Sequence, residues 1–336
     1  MGAEYKHLSA DERAAIHRGR LQGQSPAAIA KTLGRPRSTV TRELSRHAGG
    51  GDYDALSAQQ GYARRRRRGH RKLAPGTPLW EPVVMDLCRG WSPEQIAGRR
   101  REMHPGEPSR RVSHETVYLA LYALPRGELR KDLLGRLRQG RKARRPRGRG
   151  ADRRGGLPDM TPIHERPAEV AGRQVPGHWE GDFIKGAGNR SAVGTLVERA
   201  SRYVILARMD GCGADAALEG FTRKLRRVPA CVRKTLTYDQ GKEMARHAEL
   251  ARRTGVKVYF ADPHSPWQRP SNENANGLIR EYLPKGTDLS GASQAELNAI
   301  ARLLNNRPRK VLGFKTPAEV FQQEILKLTD RVALQT

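Results

Sequence analysis

The stretch Pro266–Gly286, PWQRPSNENANGLIREYLPKG, decides how the C-terminal half of this chain is read. Ala275, Leu278, Ile279 and Tyr282 follow the i, i+3, i+4, i+7 rule, which predicts a helix over 272–283 with one buried stripe. At 100° per residue Glu273 lies about 160° from Ala275 and projects away from that stripe. Asn276, Gly277 and Arg280 share its side. A lone carboxylate on such a face is ordinarily just solvated. Two aspartates elsewhere change the weighing: Asp182, after the strand-like HWEG, and Asp239, at the end of the apolar run TLTY. Upstream of Glu273, 33 residues separate it from Asp239, and 56 separate Asp239 from Asp182.

The surrounding pattern supplies a scaffold. HWEGDFIK (178–185) reads as a short buried strand and 192–208 as two more. A helix is expected over 214–227, a strand over 235–238, a helix over 242–253 and a strand over 256–261. Three strands followed by alternating helices and strands describe a mixed sheet covered by helices. Carboxylates brought together in such a fold are hard oxygen ligands suited to Mg²⁺ or Mn²⁺, and two ions can activate an attacking oxygen and stabilise a leaving one.

The charge balance points to a polyanionic partner. The 336 residues carry 63 Lys+Arg against 35 Asp+Glu, a net +28. Residues 1–150 hold 33 basic and 14 acidic side chains, so the excess is concentrated there. Such self-repulsion argues against an ordinary small-metabolite enzyme and for nucleic acid. No run of 18 apolar residues exists, the N-terminus lacks a secretory apolar stretch, and Gly2 fits plain Met processing rather than lipidation. Cys88, Cys212 and Cys231 form no CxxC pair, which argues against a disulfide framework or a Cys-based zinc site and fits a reducing cytoplasm.

Residues 8–47 read as three short helices. Ser9 and Glu12 form a capping-box signature, with Ile16 and Leu21 on the apolar stripe. Ser25-Pro26 opens a second helix with Ile29 and Leu33 inward, closed by Gly34. Ser38 is expected to cap a third, with Val40 and Leu44 buried and Arg37, Thr39, Arg42, Glu43 and Arg46 outward. This is a helix-turn-helix pattern, and Arg37, Ser38, Thr39, Arg42 and Arg46 are the candidate readers of base edges and phosphates; the bland alternative is a small helical bundle. The basic run Arg64–Arg68, including Arg65 and Arg66, suits a phosphate-tracking linker. WSPEQIAGRRREM (91–103) repeats the earlier SPAAIAKTLG pattern, and RRVSHETVYLALYA (110–123) resembles a second recognition helix, capped by Ser113 with Val117 and Leu121 inward. The alternative is a plain helical spacer, and whether this second helix-turn-helix contacts DNA or protein stays open. Residues 136–154 are ten-nineteenths Lys or Arg and cannot bury a core.

WEGD, TYDQGKE and PWQRPSNENANGLIREYLPKG strongly resemble the DDE transposases of bacterial insertion sequences, specifically the IS-thirty family. LGRPRSTVTREL and the tail NNRPRKVLGFKTPAEVF extend the resemblance over nearly the whole chain. It implies a multidomain protein: an N-terminal all-α helix-turn-helix DNA-binding region, then an α/β RNase H-like (retroviral integrase-type) catalytic domain. The expected domains are a helix-turn-helix at 1–50, a basic linker at 51–78 and a second helical unit at 79–135. A basic flexible linker at 136–172, the catalytic domain at 173–325 and a tail at 326–336 follow. Asp182, Asp239 and Glu273 would be the catalytic residues and metal ligands, holding Mg²⁺ or Mn²⁺, two ions in all. The implied activity is metal-dependent cleavage at a transposon end, then strand transfer by the released 3′-OH, with no covalent protein–DNA intermediate. Tyr238 is therefore expected to pack in the sheet.

Trp267 could stack on a distorted base or simply pack its loop. Gln268, Arg269, Arg280 and Lys285 are candidate phosphate contacts. Glu180 shares a strand face with Asp182 and is expected to be structural. His178 shares that face too, and His264 belongs to a turn. The expected partners are double-stranded DNA, as terminal inverted repeats and target, and further copies of the chain, at least a dimer on paired ends. No membrane is expected; the location is cytoplasmic and nucleoid-associated. The rival readings are a non-catalytic helix-turn-helix regulator and a nuclease without sequence preference.

Overall fold

Ser9 begins the first helix as its sequence requires: its Oγ accepts from the Glu12 amide at 3.1 Å while its own amide donates to Glu12 Oε2 at 2.7 Å. This computed structural model describes residues 7–47, 52–66, 72–135, 158–263 and 265–333. The chain divides into two compact units, Met1–Arg71 and Lys72–Thr336. The first holds α1 (Ala10–Leu21), α2 (Pro26–Thr32), α3 (Arg37–Arg46) and α4 (Ala55–Arg66). Pro26 sits at the start of α2 behind the Ser25 cap, and Gly34 takes φ 61° to turn the chain into α3. Leu8, Ile16, Ile29, Ala30, Val40, Tyr53 and Ala58 form the core.

Three local expectations change here. Leu21 is the last residue of α1, beyond the reach of that core, and is 69% exposed. Ser38 is not the cap of α3; Pro36 holds that position without a side-chain bond, and Ser38 lies exposed in the first turn. Glu43 faces inward, not outward. Its carboxylate is buried because Arg13 Nε donates to it at 2.8 Å and the Tyr53 hydroxyl lies at 3.5 Å.

The second unit begins with α5 (Trp80–Cys88), α6 (Pro93–Met103), α7 (His114–Tyr122) and α8 (Glu128–Gly135). Ser92 and Gln95 form a capping box, Ser113 caps α7, and Val117 and Leu121 are buried as the pattern predicts. Helix α6 packs against the C-terminal segment. Gln95 Nε2 donates to the Pro308 carbonyl at 2.9 Å, Arg307 Nε donates to Gln95 Oε1 at 3.0 Å, and Arg99 pairs with Glu319. Gly98 lies under the Phe314 ring, where a Cβ would approach within 2.3 Å.

The sheet contains β1 (His178–Lys185), β2 (Ala192–Glu198), β3 (Val204–Arg208), β4 (Thr235–Tyr238) and β5 (Lys257–Phe260), in the order β3-β2-β1-β4-β5. The first three strands pair antiparallel; β1–β4 and β4–β5 are parallel. The parallel pair β4–β5 has α10 (His247–Thr254) between its strands, after α9 (Ala214–Leu225); α11 (Pro270–Ile279), α12 (Gln294–Asn305) and α13 (Pro317–Ala333) complete the unit. Strand alternation separates two cores. Trp179, Phe183, Leu236 and Tyr238 pack with Phe221 and Leu225 of α9. Ile184, Val193, Val197 and Leu206 pack with Leu278 and Ile279 of α11 and Leu297 and Leu304 of α12.

Boundaries shift for local reasons. The helix expected over 242–253 is broken into a 3-10 turn at Lys242–Met244 and α10, because the turn folds Glu243 inward. Helix α11 starts two residues early, where Pro270 has no amide to lose, and ends at Ile279. Residues 158–172, expected as linker, contribute buried Ile163 and Val170, and Pro162 bridges to Phe260. The basic stretch 136–154 lies outside the described residues.

At the start of β1, burial depresses the His178 imidazole to about 4, with Lys234 and Arg199 adding to the fall and Glu169 opposing it. An unfolded histidine takes its proton near 6.5. This contribution to stability is therefore complete above pH 6.5 and is lost as pH falls toward 4. Unfolding free energies from pH 4 to 7 should lose on the order of 2–3 kcal/mol of that dependence in His178→Gln; an unchanged pH slope would assign the acid sensitivity elsewhere.

Candidate active site

The parallel pairing of β1 with β4 sets Glu180 opposite Thr237. Asp182 lies two residues further along β1, and Asp239 directly follows the end of β4, two residues after Thr237. Asp182 Oδ1 accepts from the Phe183 amide at 2.8 Å and Oδ2 from Asn276 Nδ2 at 2.8 Å. Between the two aspartates stands Arg269. Its Nη2 is 3.2 Å from Asp239 Oδ2, its Nη1 is 4.0 Å from Asp182 Oδ1, and Nη1 also donates to the Gly181 carbonyl at 2.9 Å. Burial pushes the Asp182 carboxyl up to about 6; Arg269 opposes the rise and Asp239 adds to it. Gly181 allows this closeness on the opposite face, since a Cβ there would meet the Tyr238 ring at 2.7 Å.

Helix α11 is fastened to the same strand. Glu180 is wholly buried; Arg199 Nη1 donates to its Oε1 at 2.5 Å and the Asn272 amide to its Oε2 at 2.8 Å. Thr195 Oγ1 bonds Asn272 Oδ1 at 3.0 Å, and Arg202 reaches Ser271. These contacts hold the first turn of α11 over β1 and β2. Glu273 follows in that turn, exposed, and its side chain makes no hydrogen bond or ion pair among the described residues. Asn276, one turn later on the same helix side, touches Asp182.

The structure thus joins Asp182 and Asp239 through one cation and carries Glu273 on the helix attached to them, without drawing its carboxylate in. No group of three His, Cys, Asp or Glu side chains close enough for a metal occurs among the described residues. The donor set nonetheless fits a hard divalent cation. Two carboxylates already converge on a positive charge, and the Asn276 amide oxygen, an additional hard donor, is buried with no hydrogen-bond partner among the described residues.

Trp267 is 71% exposed in the turn before α11, while Gln268 is occupied by Asp262 at 2.7 Å. Arg280 donates to the Lys185 carbonyl at 2.9 Å, so it braces the end of β1; Lys285 is exposed. His178 bonds Thr235 at 2.9 Å, four residues from Asp182 along β1. Tyr238 is fully buried beside Phe221. On α3, Arg37, Ser38, Arg42 and Arg46 are exposed and Thr39 is half-buried. The side chains of Arg65 and Arg66, and His264, lie outside the described residues. Sequence reasoning assigned Arg269 to phosphate and overlooked its bridge; proline-flanked loops give no periodicity from which such a contact can be read. Glu243, 8% exposed and 3.7 Å from Lys185 Nζ, was likewise missed beside the aspartates.

A helical N-terminal unit and a mixed sheet with acidic residues on its central strands match two known domain types. Residues 4–47 match the helix-turn-helix domain family and residues 172–266 the integrase core domain family. The chain is thus a DNA-binding, phosphoryl-transfer enzyme acting on nucleic acid, with an RNase H-like core. It is 54% identical to the transposase for insertion sequence element IS1086 of Cupriavidus metallidurans, over 99% of both chains. It is 42% identical to the transposase InsI for insertion sequence element IS30A of Escherichia coli, over 96% of this chain and 85% of that one. The solved catalytic core of BIV integrase aligns with a TM-score of 0.36 at 18% identity, covering 45% of this chain and 97% of that one. The chain belongs to the IS30 family of insertion-sequence transposases, and DNA transposition is its function. The regulator reading is thereby set aside. No helix of the described residues is long and apolar enough to cross a membrane.

Removing Arg199 while Glu180 stays buried leaves an uncompensated charge. Arg199→Met should destabilise the chain by about 3–5 kcal/mol, and adding Glu180→Gln should restore part of that loss. Urea midpoints of the single and double variants check it; equal destabilisation in both would deny the pair its role.

Proposed function

We propose that Asp182, Asp239 and Glu273 hold Mg²⁺ or Mn²⁺, two ions, for cleavage at the terminal inverted repeats of the element and for strand transfer to target DNA. The observation that carries this reading is the convergence of Asp182, on β1, and Asp239, just after the adjacent parallel β4, on a single cationic group. The metal would supply Lewis-acid stabilisation of charge at the scissile phosphate. The chain's own part is positioning. Asn276 holds the Asp182 carboxylate at 2.8 Å, Glu180 fixes the start of α11, and that helix carries Glu273. Glu273, exposed on the side of α11 that Asn276 shares, would complete the set.

Trp267, exposed beside this face, is suited to stacking on an unpaired base, and Lys285 to phosphate. Arg280 contributes positive charge while bracing β1. The outward residues of α3, chiefly Arg37, Arg42 and Arg46, would read the terminal repeat, with Ser38 and Thr39 at the start of the helix. Arg65 and Arg66 would add phosphate contacts. Activity on paired ends calls for at least a dimer, and the protein would work in the bacterial cytoplasm on the nucleoid.

Asp239→Asn should bind end-containing DNA within about twofold of wild type while losing at least about a thousandfold in Mg²⁺-dependent strand cleavage. Appreciable cutting by this variant defeats the assignment. Arg42→Ala with Arg46→Ala should erase the footprint over the terminal repeat and flatten the salt dependence of binding by about two phosphate contacts. An unchanged footprint would remove α3 as the reader.

A further inference from the structure

Arg269 is the residue just before α11, and its guanidinium is 13% exposed, wedged between two carboxylates and the Gly181 carbonyl. It lies 6.0 Å from the Tyr238 ring, and its Nε is buried with no hydrogen-bond partner among the described residues. The Gly181 carbonyl and the two carboxylates hold the arginine against the same oxygens that a divalent cation would bind.

We infer that Arg269 is a tethered counter-cation for Asp182 and Asp239: a positioning residue that holds the two carboxylates together before metal arrives and must leave them for metal to bind. The inference rests on the reading of those aspartates as metal ligands. Two like-charged groups within about 4 Å of the same carboxylates repel each other, so guanidinium and metal are mutually antagonistic ligands of one site. Without Arg269, Asp182 and Asp239 face each other uncompensated, which raises their appetite for any remaining cation.

Binding of Mn²⁺ alone, without DNA, to the full-length chain tests this by paramagnetic resonance. Arg269→Gln should bind at least about fivefold more tightly than wild type, and Arg269→Lys, which keeps the charge, should stay near wild type. Unchanged or weaker binding by Arg269→Gln overturns the inference. Asp239→Asn separates the two levels: if it weakens Mn²⁺ binding while Arg269→Gln leaves it unchanged, only the role of Arg269 fails. If Asp239→Asn leaves binding unchanged, the metal-site reading itself fails. A measurement on wild type needs no variant: Mn²⁺ should increase phenylglyoxal modification of Arg269 severalfold, read by mass spectrometry. Unchanged or reduced modification overturns displacement.

Discussion

The buried carboxylate of Glu180 is the constraint on which the placement of everything else depends. A charge removed from water in the centre of a sheet is tolerable only when its oxygens are taken, and here they are taken by Arg199 and by the backbone amide of Asn272. The second bond is the consequential one. It satisfies one of the unpaired amides at the start of α11 and at the same stroke fixes where that helix begins relative to β1. Thr195, bonding both the Asp182 carbonyl and Asn272, ties β2 into the same knot. Two residues along β1 from Glu180 lies Asp182, and one residue along α11 from Asn272 lies Glu273. A structural ion pair thus sets the separation of two chemical groups.

Around that knot the electrostatics are finely opposed. Burial pushes the Asp182 carboxyl up to about 6, with Arg269 and the Phe183 amide opposing the rise and Asp239 adding to it. Arg269 supplies the positive charge that these neighbouring carboxylates share. The same low-dielectric setting strengthens any cation that does bind. Four acidic groups contribute: Asp182 and Asp239 facing Arg269, Glu243 paired with Lys185, and Glu180 locked to Arg199.

Much of this was legible from the amino acids. The order of strands and helices after residue 178 could be read because β1 to β5 are short runs rich in apolar residues, and α11 because Ala275, Leu278 and Ile279 keep its period. The outward direction of Glu273 followed from that period alone. What escaped was tertiary. Nothing local distinguishes Glu43 from its exposed neighbours on α3; its burial is decided by Arg13, thirty residues away. Leu21 satisfied a helical stripe but outran the core it was meant to cover. The site's two bridging side chains, Arg269 and Asn276, were visible as polar residues near the carboxylates, yet which oxygen each would take depends on a strand register that spacing does not encode.

The contact between α6 and the segment after α12 has a bearing on how such a protein can change. With Gly98 pressed under Phe314 and Arg307 shared between Gln95 and Glu281, residues 93–99 and 307–319 are cut to each other's shape although they are more than 200 positions apart. Recombination between relatives that joins a new front end anywhere between these stretches would bring mismatched surfaces together. An exchange made before Lys72 leaves this pair of surfaces intact, because both stretches belong to the second compact unit.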